Sequence, residues 1–315
     1  MPFGSTEHIW MNGKLVKWDD ARIHILSHVV HYGSSVFEGM RVYKTARGSA
    51  AFRLHDHTAR LFNSAQIYYM NVPYTHDEIN QAILETVTAN KLEQCYVRPL
   101  VYRGYGKVGV DPAGSPTDVA IAVWDWGKYL GPEALDKGIA VCVSSWRRPA
   151  PDTFPAIAKS GANYMNSQLI KLEARRNGFV EAIALDTYGY VSEGSGENVF
   201  VVYKGRVMTP SLGSAILPGI TRESVITLAR QLGYEVVEQN IPRDLLYVAE
   251  EVFLTGSAAE ITPVTKIDDI KIGSGSCGPI TRAMQKAFFD VVENGNDPFG
   301  WLTWVGKPVA AAVTA

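Results

Sequence analysis

The chain has 315 residues, 30 basic and 32 acidic side chains, a formal net charge of −2, and an apolar share of 46%. That is an average globular composition with enough apolar chain for a sizeable core, and the length favours about two domains. The balance excludes a generally basic nucleic-acid surface. No apolar run approaches the roughly 18 residues of a spanning helix, and the opening residues show no apolar signal segment. The expectation is therefore a soluble cytoplasmic protein with no nucleic-acid or membrane partner.

In chain order, residues 1–125 alternate short strands and helices. HIWMNGKLV reads as a hairpin turning at Asn12-Gly13. VFEGMRVYK and SAAFRLH read as further strands. From Asp56 to about Tyr69, the spacing of Leu61, Phe62, Ala65 and Tyr69 marks one helical face. A second helix runs from Thr75, its N-cap, to Asn90, with Ile79, Ile83 and Val87 in phase. CYVRPLVYR and DVAIAVWDW follow as strands, and Pro99 argues that the first does not need that residue's N–H for a central ladder. Periodicity lapses and Gly and Pro cluster over 127–138, the candidate linker. Beyond it, IAVCVSSW is a strand. Asn163 to Asn177 is a helix with Met165, Leu169 and Leu172 in phase, stopped by Gly178. EAIALD, NVFVVY and GRVMTP are strands. Thr221 to Leu232 is a helix with Val225, Leu228, Ala229 and Leu232 on one face. Glu251 to Thr255 is a strand, and Ile280 to Asn294 the last helix. Mixed strands and helices in two blocks give an α/β (α+β) class.

Cys95, Cys142 and Cys277 are widely spaced and form no CxxC pair, so they read as reduced structural thiols. His55-Asp56-His57 lacks zinc spacing and reads as the start of a helix, so no metal site is expected. Gly104-Gly106-Gly109 and Gly273-Gly275-Gly278 match the dinucleotide-binding glycine pattern, but neither has the strand, helix and second parallel strand that it requires. Both read as glycine-rich loops.

Four segments carry chemistry. In SAILPGITRES a tight turn at Pro218-Gly219 opens a helix at Ile220-Thr221, where free N–H groups and a hydroxyl suit a phosphate. Taken alone this reads rather as an ordinary strand–helix junction with Thr as N-cap, since such junctions are common. A second hydroxyl- and glycine-rich turn, Thr255-Gly256-Ser257, could also present N–H groups to an anion. Lys159 has small or apolar neighbours and no carboxylate nearby in sequence. Such a lysine can have a lowered pKa and act as a nucleophilic amine forming a Schiff base, or it can be a solvated loop residue. Glu193 lies on a glycine-rich turn, where it is either a solvated carboxylate or, if buried, a partner for a protonated ring nitrogen. Arg60 and Arg98 are candidates for anion binding, and Arg98, set among aromatic strand residues, suits a carboxylate.

The segments FEGMR, HDHTARL, YVRPLVYRG, AKSGANYMNS, YVSEGSGENVF, LPGITRES and LTGSAAEITP, in that order, resemble the class IV pyridoxal-phosphate aminotransferases. They are most similar to the branched-chain amino acid aminotransferases, over residues 8–305. The resemblance implies a fold-type-IV protein with a small N-terminal α/β domain (1–127), a linker (128–138) and a larger barrel-like cofactor-binding domain (139–315). The cofactor would lie between them near a dimer interface, in a homodimer or higher homo-oligomer. It implies that Lys159 carries pyridoxal 5'-phosphate as a Schiff base and that Glu193 keeps the ring nitrogen protonated. Tyr164 would bond the phenolic oxygen, and Arg60, Gly219, Ile220, Thr221 and Ser257 would hold the phosphate.

For substrates, the resemblance implies an apolar pocket of Tyr32, Phe37, Trp126, Tyr129 and Tyr164. Arg98 and the hydroxyls of Tyr32 and Tyr96 would receive the second carboxylate of glutamate, and the N–H groups of Ser257 and Ala258 the α-carboxylate. The implied reaction is transamination of leucine, isoleucine and valine with 2-oxoglutarate by a ping-pong route. Ser257 departs from the family's usual threonine but keeps the hydroxyl. D-Amino acid and (R)-amine transaminases and aminodeoxychorismate lyase share the fold, and Val97-Arg98-Pro99 argues against all three. A nucleotide-binding oxidoreductase or a non-catalytic binding protein is the alternative from another class. The tail after Gly306 carries no reading.

Overall fold

The computed structural model describes residues 5–127, 129–131 and 133–306; the C-terminal tail after Gly306 and two positions of the expected linker, 128 and 132, lie outside them. The chain forms two compact units. The first comprises Met1–Trp126, Ala158–Ala162 and Asp290–Ala315, and the second Gly127–Ile157 and Asn163–Phe289. The division after Trp126 lies beside the expected linker, but both units are discontinuous in sequence, and the segment carrying Lys159 belongs to the first.

The first unit begins with a hairpin of β1 (His8–Met11) and β2 (Lys14–Lys17). Asn12 and Gly13 turn it with φ of 45° and 90°, the left-handed pair that matches strand twist. The segment expected as one strand from Val36 to Lys44 is two, β3 (Ser35–Phe37) and β4 (Met40–Thr45). Glu38 and Gly39 break it: Glu38 turns inward to basic partners, and a Cβ on Gly39 would overlap the Tyr96 hydroxyl. β5 (Gly48–Phe52) stops short of Arg53, whose left-handed backbone opens the next helix.

β6 (Cys95–Arg103) pairs along its length with β7 (Thr117–Trp124) and on its other side with both β3 and β4. It is thus a central strand, contrary to the simplest reading of Pro99. That proline sits where the neighbour changes from β4 to β3, and its carbonyl accepts from Glu38 N at 2.9 Å. The missing N–H falls at the gap. Helices α1 (His28–Tyr32), α2 (Leu54–Ile67) and α3 (His76–Ala89) complete the unit. Thr75 and Glu78 form the reciprocal cap of α3. Leu54, Leu61, Ile79, Ile83 and Val87 fill the core with Val97, Ile121 and Val123 from the sheet.

In the second unit, α4 (Ala134–Lys137) is a short helix inside the expected linker. It is followed by β8 (Ile139–Val143), α5 (Asn163–Arg176), β9 (Glu181–Leu185), β10 (Val191–Gly194), β11 (Asn198–Tyr203) and β12 (Arg206–Thr209). Then come α6 (Ile220–Gln231), β13 (Val236–Glu238), β14 (Glu251–Gly256), β15 (Glu260–Ile267) and β16 (Ile270–Lys271). Strands β8, β9, β10, β11, β14 and β15 close into a six-stranded barrel, and the ladder that closes it pairs Glu193 with Asn198. Val141, Ile183, Val191, Val199, Leu254 and Val264 are among its buried apolar residues. The chain ends with α7 (Pro279–Val292) and β17 (Leu302–Trp304), which pairs with β5 in the first unit. No helix among the described residues is long and apolar enough to cross a membrane.

Two helix faces differ from expectation. Met165, Leu169 and Leu172 are exposed on α5, whose buried face is Ser167, Ile170 and Ala174. That face packs on Cys142, Ala182 and Ala184, with Ile170 and Ala174 in the same buried cluster. On α6, Val225, Leu228 and Ala229 are buried but Leu232 is exposed at the helix end.

Candidate active site

The short segment 158–162 is stitched into the first unit by its backbone. Lys159 N donates to Ser64 Oγ at 3.0 Å, Lys159 O accepts from Phe37 N at 2.9 Å, and Gly161 N donates to Ser35 O at 2.9 Å. These bonds hold Lys159 Nζ 5.0 Å from the centre of the Phe37 ring. Loss of water, reinforced by the charge of Arg60, pulls its pKa from 10.5 down to about 8, while Glu38 opposes. A sizeable fraction of the amine is therefore neutral, and nucleophilic, near physiological pH.

Beneath it is a charge cluster anchored on Glu38, which is fully buried. Arg60 Nε and Nη2 donate to its two carboxylate oxygens at 2.6 and 2.9 Å, and His57 Nδ1 lies 2.6 Å from Oε2. Burial by itself would raise the Glu38 pKa, but the charges and hydrogen bonds of Arg60 and His57 outweigh it and hold the carboxyl well below the usual range. Burial lowers the pKa of His57 despite Glu38, so the imidazole stays neutral and donates through Nδ1.

Two of the aromatic candidates of this unit, Phe37 and Tyr96, lie beside Arg98, with Trp124. The Arg98 guanidinium lies 4.7 Å from the Phe37 ring, 5.4 Å from Tyr96 and 5.6 Å from Trp124, and its buried Nε has no hydrogen-bond partner among the described residues. Trp126 meets Tyr96 edge-on at 4.5 Å. Tyr32, on α1, is half-exposed, and its ring contacts are with His28 and His31.

In the second unit Glu193 is held at the barrel closure. Its Oε2 accepts from Leu217 N at 3.0 Å and from Asn198 Nδ2 at 3.2 Å, and Arg148 Nε faces Oε1 at 3.2 Å. The carboxyl is mostly buried, with 12% of its side chain exposed. It is neither the freely solvated turn residue nor a deeply sealed one. α6 starts close by in the chain. Its N-cap is Gly219 rather than Thr221, which lies buried in the first turn. The reason is steric: Gly219 packs on Asn198 Oδ1, and a Cβ would overlap it. The first N–H groups of a helix have no partner within it, so Ile220 and Thr221 lie at an anion-favouring end.

Gly219→Ala is accordingly expected to push Asn198 off Glu193. For the pyridoxal phosphate that the sequence resemblance implies, the measurable result is affinity at least about tenfold weaker, on the scale of one lost orienting partner. Unchanged affinity would show that the close approach has no bearing on binding.

Ser257 and Ala258 lie in the turn between β14 and β15, and Ala258 and Tyr129 line one small cavity together with Leu130, Ala134 and Thr262. Tyr164 lies in the first turn of α5. Four residues of functional weight escaped the sequence reading: Glu38, Arg148 and Glu197, and His57 as a side chain rather than a helix start. No local pattern marks Glu38, His57 or Arg148, because their partners are remote in sequence.

The profile of the amino-transferase class IV family matches residues 35–267. The chain belongs to this family. Among its class IV relatives, the branched-chain-amino-acid aminotransferase of Escherichia coli (strain K12) is 49% identical over 303 residues, covering 96% of this chain and 98% of the relative. The crystal structure of the Escherichia coli branched-chain amino acid aminotransferase superposes with a TM-score of 0.94 at 49% identity, over 96% of this chain and 100% of that one. The branched-chain amino acid aminotransferase of Thermobaculum terrenum, solved in its PLP-form (holo-form), gives a TM-score of 0.89 at 37% identity, over 96% of this chain and 99% of that one.

Proposed function

We propose that this class IV aminotransferase is a pyridoxal-phosphate enzyme that transfers the amino group of L-leucine, L-isoleucine or L-valine to 2-oxoglutarate. The observation that carries the reading is Lys159: an amine with its pKa lowered to about 8, fixed by its own backbone beside an aromatic ring. The near-half identity to branched-chain enzymes over almost the whole chain supports the substrate class.

The donor set fits the cofactor chemically. Arg60 and the start of α6, with Thr221, suit a phosphate. Glu193, faced by Arg148 and two hydrogen-bond donors, is an acceptor for a protonated ring nitrogen. When bound, pyridoxal phosphate supplies an aldehyde carbon that condenses with amines and a ring that draws electrons from the substrate Cα. Lys159 Nζ then takes the Cα proton and returns it, a role for which a pKa near the working pH is suited. Tyr164 is assigned to the phenolic oxygen, and Gly219, Ile220 and Ser257 to the phosphate. Phe37, Trp126, Tyr32, Tyr129 and Tyr164 are assigned to the apolar side chain, the hydroxyls of Tyr32 and Tyr96 with Arg98 to the second carboxylate of 2-oxoglutarate, and the N–H groups of Ser257 and Ala258 to the α-carboxylate. A homodimer or higher oligomer in the cytoplasm, working in branched-chain amino acid biosynthesis, completes the proposal.

The test is an amino-donor panel with 2-oxoglutarate on the purified yellow protein. L-Leucine, L-isoleucine and L-valine are expected to be the best donors; faster reaction with D-alanine or an (R)-amine overturns the substrate reading. Arg98 provides a sharper check. Its charge is stacked on rings and its Nε lacks a partner among the described residues, so it is poised for a carboxylate. Arg98→Ala is expected to reduce kcat/KM for 2-oxoglutarate by about 100-fold, the worth of a charge-assisted pair. The loss with 4-methyl-2-oxopentanoate should be distinctly smaller, and equal losses would remove Arg98 from second-carboxylate recognition.

A further inference from the structure

Arg148 follows β8 in a buried position, and its backbone N donates to Leu185 O in β9 at 2.9 Å. Both Nη atoms of its guanidinium are fastened by hydrogen bonds. Nη1 donates to Asn166 Oδ1 at 3.0 Å and Ser167 Oγ at 2.9 Å on α5. Nη2 donates to Gly194 O at 2.6 Å and Ser195 O at 3.0 Å in the turn after β10. Nε faces Glu193 Oε1 at 3.2 Å. The planar fork thus grips two carbonyls just after Glu193, while Nε pairs with one Glu193 oxygen by charge, without hydrogen-bond geometry.

A second carboxyl could compete for that charge, and the surroundings prevent it. Glu197 is buried on the same turn, its Oε2 accepting from Gly196 N at 3.0 Å. Burial, together with the negative charge of Glu181, raises its pKa and disfavours its charged form. Glu181 is itself paired with Lys171 at 2.6 Å. The positive charge of Arg148 is left to Glu193, whose other oxygen is already tied to Leu217 N and Asn198.

We propose that Arg148 is a positioning residue that fixes the direction and the ionised state of Glu193, and so sets how firmly a bound pyridine nitrogen stays protonated. The inference rests on the proposed function. Arg148 acts through Glu193, with the Gly194–Ser195 turn as its second grip.

The experiment uses holoenzyme reconstituted with pyridoxal phosphate carrying 15N in the ring. In the wild type the ring nitrogen shift should be that of the protonated form. In Arg148→Met it should move toward the unprotonated value, with the rate of the L-leucine half-reaction lowered about 10- to 100-fold, the usual effect of losing a residue that orients a ligating group. Arg148→Lys keeps the charge and loses the fork, and should lie between the two; it also serves if the methionine variant fails to fold. In a Glu193→Gln background, Arg148→Met should cost less than about threefold, because its target is gone. A protonated nitrogen signal in either folded Arg148 variant identical to wild type, or an undiminished loss in the Glu193→Gln background, overturns the assignment. A wild-type protein that takes up no pyridoxal phosphate fails at the proposed function instead, before Arg148 is reached.

Discussion

Replacing Lys159 with alanine is expected to lower turnover of L-leucine with 2-oxoglutarate by at least about 10⁴-fold, since one group supplies both the nucleophilic amine and the proton transfers. The fold should survive, because the segment is held by backbone bonds to Ser64 and Phe37 rather than by the amine. The same substitution has a signature in stability. The Lys159 pKa is lowered from 10.5 to about 8 in the folded chain, so between those values the unfolded chain binds more protons and wild-type stability rises with pH. Below about 8 the folded protein carries the charge without full hydration. That costs at most about 3 kcal/mol, less after solvent screening of a partly exposed group.

Lys159→Ala removes this penalty and also removes part of a partly buried alkyl stem, worth about 1–2 kcal/mol. Denaturant unfolding of the cofactor-free proteins should therefore show the variant gaining on wild type at pH 7 and losing ground as pH rises toward 10.5. A difference independent of pH would mean that the amine is not desolvated. Residual turnover within tenfold of wild type would refute its catalytic role.

How much of this could be read from residues alone depended on the range of the interactions. Local signals were legible. Asn12-Gly13 turns its hairpin, Thr75 and Glu78 form the cap of α3, and Gly178, with φ of 82°, follows α5. Each needs only neighbours within a few positions. Ordered motifs singled out Lys159, Glu193 and the Gly219 turn as candidates through their spacing along the chain. What was hidden depends on contacts between distant segments. The break at Glu38 exists because Arg60 and His57 arrive from α2, and Pro99 fits a central strand only because that break faces it. Arg148 finds backbone carbonyls on another strand's turn, which no side-chain pattern announces. The outward stripe of α5 misleads for a related reason: periodicity identifies a helix but not which of its faces meets the sheet. The lowered pKa of Lys159 was anticipated from its apolar neighbours, yet the charge beside it, Arg60, comes from α2.

That long-range cluster carries the second large effect. Glu38→Leu is expected to destabilise the protein by about 3–5 kcal/mol, because Arg60 and the polar face of His57 would remain buried with their partner removed. Glu38→Gln keeps the shape and one acceptor for Arg60, so its cost should be nearer about 1–3 kcal/mol, the scale of a charged hydrogen bond made neutral. The two variants separate packing from charge. The pH dependence follows from the sign of the shift. The Glu38 pKa is held below its ordinary value in the folded state, so its contribution is fully present above about 4.5 and is lost as pH falls further. Wild type should accordingly lose its advantage over Glu38→Gln in acid.

The functional consequence runs through Arg60, which Glu38 grips with both oxygens. Once that grip is weakened the guanidinium no longer has a fixed direction, and the affinity for pyridoxal phosphate should fall by about tenfold in Glu38→Gln. Pyridoxal, which lacks the phosphate, should bind the variant and the wild type alike. An absorbance titration with both ligands measures this. A loss for pyridoxal as large as that for pyridoxal phosphate would place the effect on Lys159 rather than Arg60, since Glu38 also raises the pKa of that amine. The cluster can therefore be resolved into its two outputs by comparing ligands that differ only in the phosphate.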